Sequence, residues 1–163
     1  MQPNPIQSPL MPRKTLTPGH GNKAFRSKKN YCFACGKDNP DGMHLKFTLD
    51  QERQRFVSHF RLSKRYTGPP GYCHGGIIAT ILDDAMSKLN KLRDLVAATS
   101  RMTVEYLRPV PLQQPLRVES RALGKRGRRL THAAEILDEK GSVLARSRAE
   151  FKIIDPHRVF RPK

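Results

Sequence analysis

The chain of 163 residues is long enough for one domain with a hydrophobic core, and it has no apolar stretch that could cross a membrane as a helix. Its three cysteines, an odd number, do not make a disulfide framework, and no charged-then-apolar start indicates a secretory signal. We therefore expect a cytoplasmic protein without a membrane partner. The formal net charge of +17 favours nucleic acid, anionic surfaces or small polyanions as partners. No RNA-binding motif, helix-turn-helix pattern or G-x-x-x-x-G-K-[ST] loop is present, which disfavours nucleic acid.

Both ends of the chain are predicted to be basic tails outside the folded domain. Residues 1–30 are rich in proline and glycine and precede the first acidic residue, Asp38. This composition predicts a disordered tail, and its prolines oppose the amphipathic helix of a mitochondrial presequence. Residues 155–163 are again basic and are predicted to be loose. The domain is therefore expected to span residues 31–154.

Cys32 and Cys35 form a C-x-x-C pair in a turn-rich stretch. Zinc requires four ligands, and a second C-x-x-C is missing, so His44, Cys73 or His74 would have to join through folding. We expect a structured loop with buried cysteines, ahead of a zinc site or a redox role. No metal and no cofactor are predicted.

The predicted elements are strands and one long helix. Apolar and polar residues alternate over 45–49 and 56–60, which predicts two strands. A helix follows from His74 and fades near Asp94. Four more alternating segments, at 102–106, 116–122, 130–136 and 143–153, predict four further strands with hairpin-length connections. The order favours the α+β class, an antiparallel sheet with the helix packed on one face.

The two faces of the helix differ in character. At 3.6 residues per turn one face is apolar, formed by Ile77, Ile78, Ile81, Leu82, Ala85, Leu89 and Leu92. Asp83 projects from the opposite side among small residues, which allow a partner or ligand to approach closely. We interpret Asp83 as the functional acid. Asp84 precedes Lys88 by four residues, which predicts a solvated ion pair.

The run His74-Gly75-Gly76 stands directly before this helix. Backbone N–H groups at a helix start stabilise a developing negative charge, and a nearby carboxylate such as Asp83 can act as base or nucleophile. The combination suggests acyl transfer or hydrolysis. His74 alone would be read as a helix cap or core histidine.

The chain resembles the hotdog-fold thioesterases, and among them the PaaI-like acyl-CoA thioesterases, over roughly residues 31–154. The resemblance rests on the C-x-x-C-G and N-P-x-G motifs in Cys32–Gly42, the block Gly71–Met86, the run Tyr106–Pro109 and the late turn before Val143–Ala145. It implies a six-stranded antiparallel sheet wrapped around one long central helix. It also implies a homodimer with a continuous sheet, often paired into a tetramer, and active sites at the dimer interface.

The resemblance also implies residue roles. Asp83 would be the nucleophile or the general base for water, and the N–H of Gly75 would polarise the thioester carbonyl. His74 would orient the site, and the Thr99 hydroxyl would help to place the attacking water. In several relatives a polar Asn or Gln precedes the motif histidine, whereas this chain has residues 68–71, Gly-Pro-Pro-Gly. Water or leaving-group positioning must therefore differ.

A basic loop at residues 124–129 holds the cations Lys125, Arg126, Arg128 and Arg129. Such a loop could clamp the phosphates of coenzyme A, and Arg108 is a further candidate; a solvated charged turn is the alternative. An acidic acyl-carrier protein would also suit the charge. Three other functions stay open: a non-hydrolytic hotdog protein that binds acyl-CoA, a nucleic-acid or anionic-surface binder that uses the basic tail, and, less favoured, a hotdog dehydratase.

Overall fold

A six-stranded antiparallel sheet and one 17-residue helix make up the fold in residues 29–155, the part of the chain that the computed structural model describes. The elements are β1 Thr48–Asp50, β2 Arg55–Arg61, a short 3-10 helix Lys64–Tyr66, α1 Gly75–Lys91, β3 Ala97–Tyr106, β4 Pro115–Arg126, β5 Arg129–Asp138 and β6 Val143–Ile153. The predicted α+β architecture is confirmed. Residues 1–28 and 156–163, most of the two predicted tails, lie outside the described part. No helix within that part is long and apolar enough to span a membrane.

The connection between β3 and β4 departs from the predicted hairpin-length turns. The sheet order is β1-β2-β4-β5-β6-β3, so β3 lies at an edge beside β6, whereas β4 lies between β2 and β5. Residues 107–114 therefore carry the chain across the fold, with Val110 and Leu112 buried in the core. Side-chain alternation reports which face of a strand is buried but not which strand lies beside it, and the prediction failed for this reason.

Strand β1 is shorter than the predicted segment 45–49. Leu45 is buried, as its place in the alternating pattern suggests, but its backbone N–H donates to the Ala34 carbonyl at 2.9 Å. Met43 likewise donates to the Phe33 carbonyl at 2.7 Å. The acceptors lie in residues 32–36, the cysteine loop, which holds Cys32 and Cys35. Because these donors pair with that loop, the ladder with β2 begins only at Thr48.

Helix α1 packs its apolar face on strands β2 to β6. The predicted face is buried at Ile78, Ile81, Leu82, Ala85 and Leu89. Ile77 and Leu92 at its margins are half-buried, and Met86, which was not assigned to the face, is fully buried. The sheet therefore covers a wider sector of the helix than a simple apolar stripe indicates.

The helix ends at Lys91, three residues before the predicted position. Asp94 adopts a left-handed backbone conformation with φ 53°, and the N–H of Leu95 donates to the Asn90 carbonyl at 3.1 Å. This bond spans five residues and closes the last turn in the manner of a Schellman cap. The chain then turns directly into edge strand β3.

Candidate active site

His74 caps the helix start. Its backbone is extended, with φ −64° and ψ 137°, and its Nδ1 accepts a hydrogen bond from the Gly76 N–H at 3.0 Å. An acceptor at Nδ1 places the ring proton on Nε2 in the neutral tautomer. The preceding loop packs tightly on this residue, because a Cβ at Gly68 would lie 2.8 Å from the His74 Cα. The helix start thus holds the ring through the Gly76 N–H, and the 68–71 loop holds the His74 backbone.

The N–H of Gly75 is available to a ligand. Of the first amides of α1, Gly76 donates to the His74 ring, and Ile77 and Ile78 donate to the His74 carbonyl at 3.0 and 3.2 Å. Within residues 29–155 the Gly75 N–H has no acceptor. A helix-start amide without a partner carries the positive end of the peptide dipole and is a ready oxyanion donor.

Tyr106 completes this corner and was not predicted as a site residue. Its hydroxyl donates to the Gly75 carbonyl at 3.1 Å, and a Cβ at Gly75 would lie 3.6 Å from its ring. The side chain is nevertheless 55% exposed. Tyr106 alternates with Met102 and Val104 along β3, so it lies on the helix-facing side of that strand. This alternation is the one signal in the sequence for its position. Tyr106 therefore forms a wall beside the free Gly75 amide.

Asp83 and Thr99, two predicted site residues, lie together. The Thr99 hydroxyl donates to Asp83 Oδ1 at 2.7 Å; the carboxylate is half-buried and the threonine is exposed. A β-bulge follows directly, since the register with β6 shifts between Thr99 and Arg101. The extra residue, Ser100, bonds the Glu150 carbonyl at 3.0 Å. Bulges re-aim neighbouring side chains, and this one lies beside the threonine that orients Asp83.

Gly75 and Asp83 of one chain lie far apart along the helix. Eight residues at 1.5 Å per residue separate them by about 12 Å of helix axis. A donor and a nucleophile that act on the same carbonyl must come within roughly 5 Å of each other. One protomer thus brings together two pairs, Gly75 with Tyr106 and Asp83 with Thr99, but keeps the pairs separate.

Asp84 faces the interior and not solvent. It forms the predicted ion pair with Lys88 at 3.0 Å, but both residues are only 8% exposed, so the prediction of a solvated pair is wrong. The cysteine loop accounts for the burial, because Cys35 Sγ lies 2.7 Å from Lys88 Nζ. The predicted burial of the cysteines is wrong for Cys32, which is exposed. Cys35 is half-buried, and burial raises the pKa of its thiol to about 11.

The predicted phosphate clamp lies in the turn between β4 and β5. Arg126, Arg128 and Arg129 are all exposed. Arg128 donates to the Ile153 carbonyl at 2.9 Å, and Arg129 pairs with Glu150 at 3.4 Å. The turn is therefore partly tied to β6. The side chain of Arg126 has no hydrogen-bonding or ionic partner among residues 29–155, whereas its backbone pairs with Arg129 in the sheet.

The basic loop at residues 124–129 and Thr99 lie at the same end of the sheet but on opposite faces. Arg129 is in register with Lys152, which is in register with Ala98 on β3. Two strand spacings, about 10 Å, separate the backbones of Arg129 and Ala98. Side chains alternate between the two faces of a sheet, so those of Ala98, Lys152 and Arg129 point away from the helix. The neighbouring Thr99 points toward it. Arg108 is exposed just after β3. The phosphate-binding role of these arginines stays a prediction.

The chain is similar to a known protein family. The family model described as the Thioesterase superfamily matches residues 70–145, from the loop before His74 to the start of β6. A solved structure of a thioesterase superfamily protein superposes with a TM-score of 0.71 and 25% identity, covering 76% of this chain and 60% of that one.

Two curated relatives are also similar. Acyl-coenzyme A thioesterase THEM4 of Mus musculus is 30% identical over 122 residues, which are 72% of this chain and 52% of the mouse protein. The uncharacterized mitochondrial membrane protein FMP10 of Saccharomyces cerevisiae is 28% identical over 131 residues, which are 76% of this chain and 54% of the yeast protein. The chain thus spans about half the length of the curated relatives it matches.

Proposed function

The chain belongs to the thioesterase superfamily and has the hotdog fold, and from this premise we propose that it hydrolyses acyl-CoA thioesters. One observation carries the proposal: an unpartnered amide at the helix start, Gly75, occurs on the same helix as a carboxylate, Asp83, held by the Thr99 hydroxyl. The mouse relative is named an acyl-coenzyme A thioesterase, which supports coenzyme A as the thiol carrier.

Hydrolysis of a thioester would use both the Gly75 amide and the Asp83 carboxylate. Attack on a thioester carbonyl generates an oxyanion, which the Gly75 N–H would stabilise without reorganisation; one such donor is worth about 3 kcal/mol. Asp83 would attack the carbonyl directly or take a proton from the attacking water. The Thr99 hydroxyl, which donates to Asp83 at 2.7 Å, fixes one carboxylate oxygen and leaves the other for the reaction. Hydrolysis yields a carboxylic acid and free coenzyme A thiol.

We further propose that each active site combines two subunits. The separation of about 12 Å between Gly75 and Asp83 along one helix is too long for one thioester. A two-fold axis perpendicular to the helix would reverse the direction of the partner helix and bring the partner's helix start toward Asp83. The chemistry therefore supports the homodimer that the family resemblance implies.

Edge strand β3 suits this dimer. It has ten residues, Ala97–Tyr106, and it pairs on one side only among the described strands. A long open edge is a template for another strand, and pairing with β3 of a second copy would close it. Tyr106 and Leu107 at its end are 55% and 46% exposed, which leaves apolar surface for that contact. Assembly into a tetramer stays a prediction.

The basic surface is proposed to select the carrier. The turn with Arg126 and Arg128 would contact the phosphates of coenzyme A, with an acidic acyl-carrier protein as the alternative donor of the same thioester. Alanine at both arginines should raise KM for acyl-CoA more at low salt than at high salt.

We propose the cytoplasm as the compartment. The mitochondrial name of the yeast relative makes subcellular fractionation of the full chain the direct test.

Release of free thiol from short-, medium-, long-chain and aromatic acyl-CoAs tests the proposal. Wild type should turn over at least one class, and Asp83→Ala should lower kcat by about a hundredfold or more. Glu139→Gln, an exposed acid on the turn between β5 and β6, is the matched control and should stay at wild-type activity. Equal turnover by wild type and Asp83→Ala would refute the role of Asp83.

One observation favours a second function, binding of acyl-CoA without hydrolysis. The Gly68–Gly71 loop carries no amide side chain where several relatives have one, and Gly68 packs too closely on His74 to accept a larger residue. Thermal stabilisation by acyl-CoA with no thiol release from any substrate would select this function over hydrolysis.

A further inference from the structure

Three metal-binding side chains converge on the side of α1 that faces the cysteine loop. The Asp84 Oδ1 lies 3.5 Å from Cys35 Sγ and 3.9 Å from Cys32 Sγ, and all three ligand atoms lie within 4.8 Å of one another. We propose that this cluster binds a zinc ion through Cys32, Cys35 and Asp84, with water as the fourth ligand. The proposal is independent of the thioesterase function.

The two sulfur-to-oxygen distances fit a tetrahedral zinc site. Zinc bonds of about 2.3 Å to sulfur and about 2.0 Å to oxygen place the sulfur and oxygen ligands roughly 3.5 Å apart in a tetrahedron. The distance from Cys35 Sγ to Asp84 Oδ1, 3.5 Å, equals this edge, and that from Cys32 Sγ, 3.9 Å, is only slightly longer. A small rotation of the exposed Cys32 side chain would close the difference.

The Asp84 carboxylate is the point on which the cluster converges. Its Oδ1 faces three donors, Lys88 Nζ at 3.0 Å and the two cysteine thiols. The residue is 8% exposed, so bulk water does not compete freely for this oxygen. Two thiols aimed at one buried carboxylate oxygen form a set of sulfur and oxygen ligands of the kind that zinc uses.

The loop that carries the cysteines is built to keep both thiols on one side. The Gly36 N–H donates to the Cys32 carbonyl at 2.7 Å, which closes a tight turn. A Cβ at Gly36 would lie 2.4 Å from the Cys32 backbone nitrogen, so only glycine fits there. C-x-x-C is a spacing that zinc sites use. The sequence pointed to His44, Cys73 or His74 as the residues that could complete such a site. The structure instead brings Asp84 to the two cysteines, a residue that lies 49 positions beyond Cys35.

Lys88 balances the charge of the loaded site. Two thiolates, one carboxylate and Zn²⁺ sum to −1, and the Lys88 ammonium brings the sum to zero. Its Nζ lies 2.7 Å from Cys35 Sγ, where it would donate to the thiolate as an outer-shell partner, and it lies 5.2 Å from the centre of the Phe47 ring. Without metal, the Asp84–Lys88 pair with two neutral thiols is also neutral. Loading therefore exchanges one Zn²⁺ for two protons and leaves the buried charge unchanged.

Metal analysis of the reduced full-length protein tests the proposal. After dialysis against zinc and removal of unbound metal, wild type should retain about one zinc per chain, as should Cys73→Ser, the matched control at the third cysteine. Cys32→Ser and Cys35→Ser should each retain less than about a tenth of that amount. Cobalt in place of zinc should give the intense visible bands of a tetrahedral site and a thiolate charge-transfer band, lost in the same two variants.

A second measurement avoids any variant that fails to fold. Native wild type should expose fewer thiols to a thiol reagent when zinc is added, with two of its three cysteines protected. Unchanged thiol reactivity with excess zinc would overturn the proposal. Equal zinc retention by wild type and by folded Cys32→Ser, which alters an exposed side chain, would overturn it as well.

Discussion

The Gly75 amide gives the sharpest single-residue prediction, because proline can remove its N–H without disturbing the helix. Gly75 is the first helical residue, where the N–H has no intrahelical partner and proline is well tolerated. His74 has φ −64° and ψ 137°, which is the extended conformation that a residue before proline requires. Gly75→Pro should therefore keep the fold and delete one donor.

The expected loss is about 3 kcal/mol of transition-state stabilisation, or about a hundredfold in kcat. Gly75→Ala is the matched control, because it keeps the N–H and adds a methyl group 3.6 Å from the Tyr106 ring, an ordinary contact distance. The assay is thiol release from the best acyl-CoA substrate, with a thermal melt of each variant. A Gly75→Pro protein that melts like wild type and retains the activity of Gly75→Ala would refute the oxyanion-donor role.

Three further predictions concern the supporting residues. Thr99→Val removes the hydroxyl that holds Asp83 and should lower kcat by about tenfold with little change in KM, whereas Thr99→Ser should restore most of the rate. Lys88→Met strands the buried Asp84 carboxylate and should lower the free energy of unfolding by about 3–5 kcal/mol in a urea titration; a loss below 1 kcal/mol would contradict burial of the pair. Burial and the charge of a nearby arginine lower the pKa of His132 to about 4. As the pH falls below about 6.5, this histidine takes up a proton in the unfolded chain before it does so in the folded chain. The free energy of unfolding should therefore fall between pH 6.5 and 4 by about 1.4 kcal/mol per pH unit. Unfolding titrations of wild type and His132→Gln measure this, and equal slopes for the two would contradict it.

Local patterns predicted the elements of the fold well. Hydrophobic periodicity identified α1 and its apolar face, because a helix that packs on a sheet must repeat its apolar residues every turn. Alternation identified the strands, and the polar side of α1 singled out Asp83. The Thr99 hydroxyl, predicted from the family resemblance, lies at hydrogen-bond distance from that carboxylate.

Contacts between distant segments could not be predicted from local patterns. Cys32 and Asp84 are 52 positions apart, so no periodicity relates them, and an acid followed four residues later by a lysine looks the same whether a loop covers it or not. Tyr106 shows the same limit. Its alternation fixed the face of β3, but its bond to the Gly75 carbonyl depends on where the edge strand lies against the helix start.

Mixed dimers test the central claim, a thioesterase site shared between two subunits. Dimers are assembled from one Asp83→Ala subunit and one Gly75→Pro subunit, each with its own affinity tag, and thiol release is measured. Each parent homodimer lacks one essential group in both sites and should keep no more than about a hundredth of the wild-type turnover. In the mixed dimer, one site receives an intact Gly75 and an intact Asp83 from different subunits.

With a shared site, the mixed dimer should recover about half the turnover of wild type, since one of its two sites is complete. If each site were formed within a single chain, both sites of the mixed dimer would carry a lesion. A mixed dimer whose turnover is as low as that of its two parents, with wild-type thermal stability, would contradict the shared site.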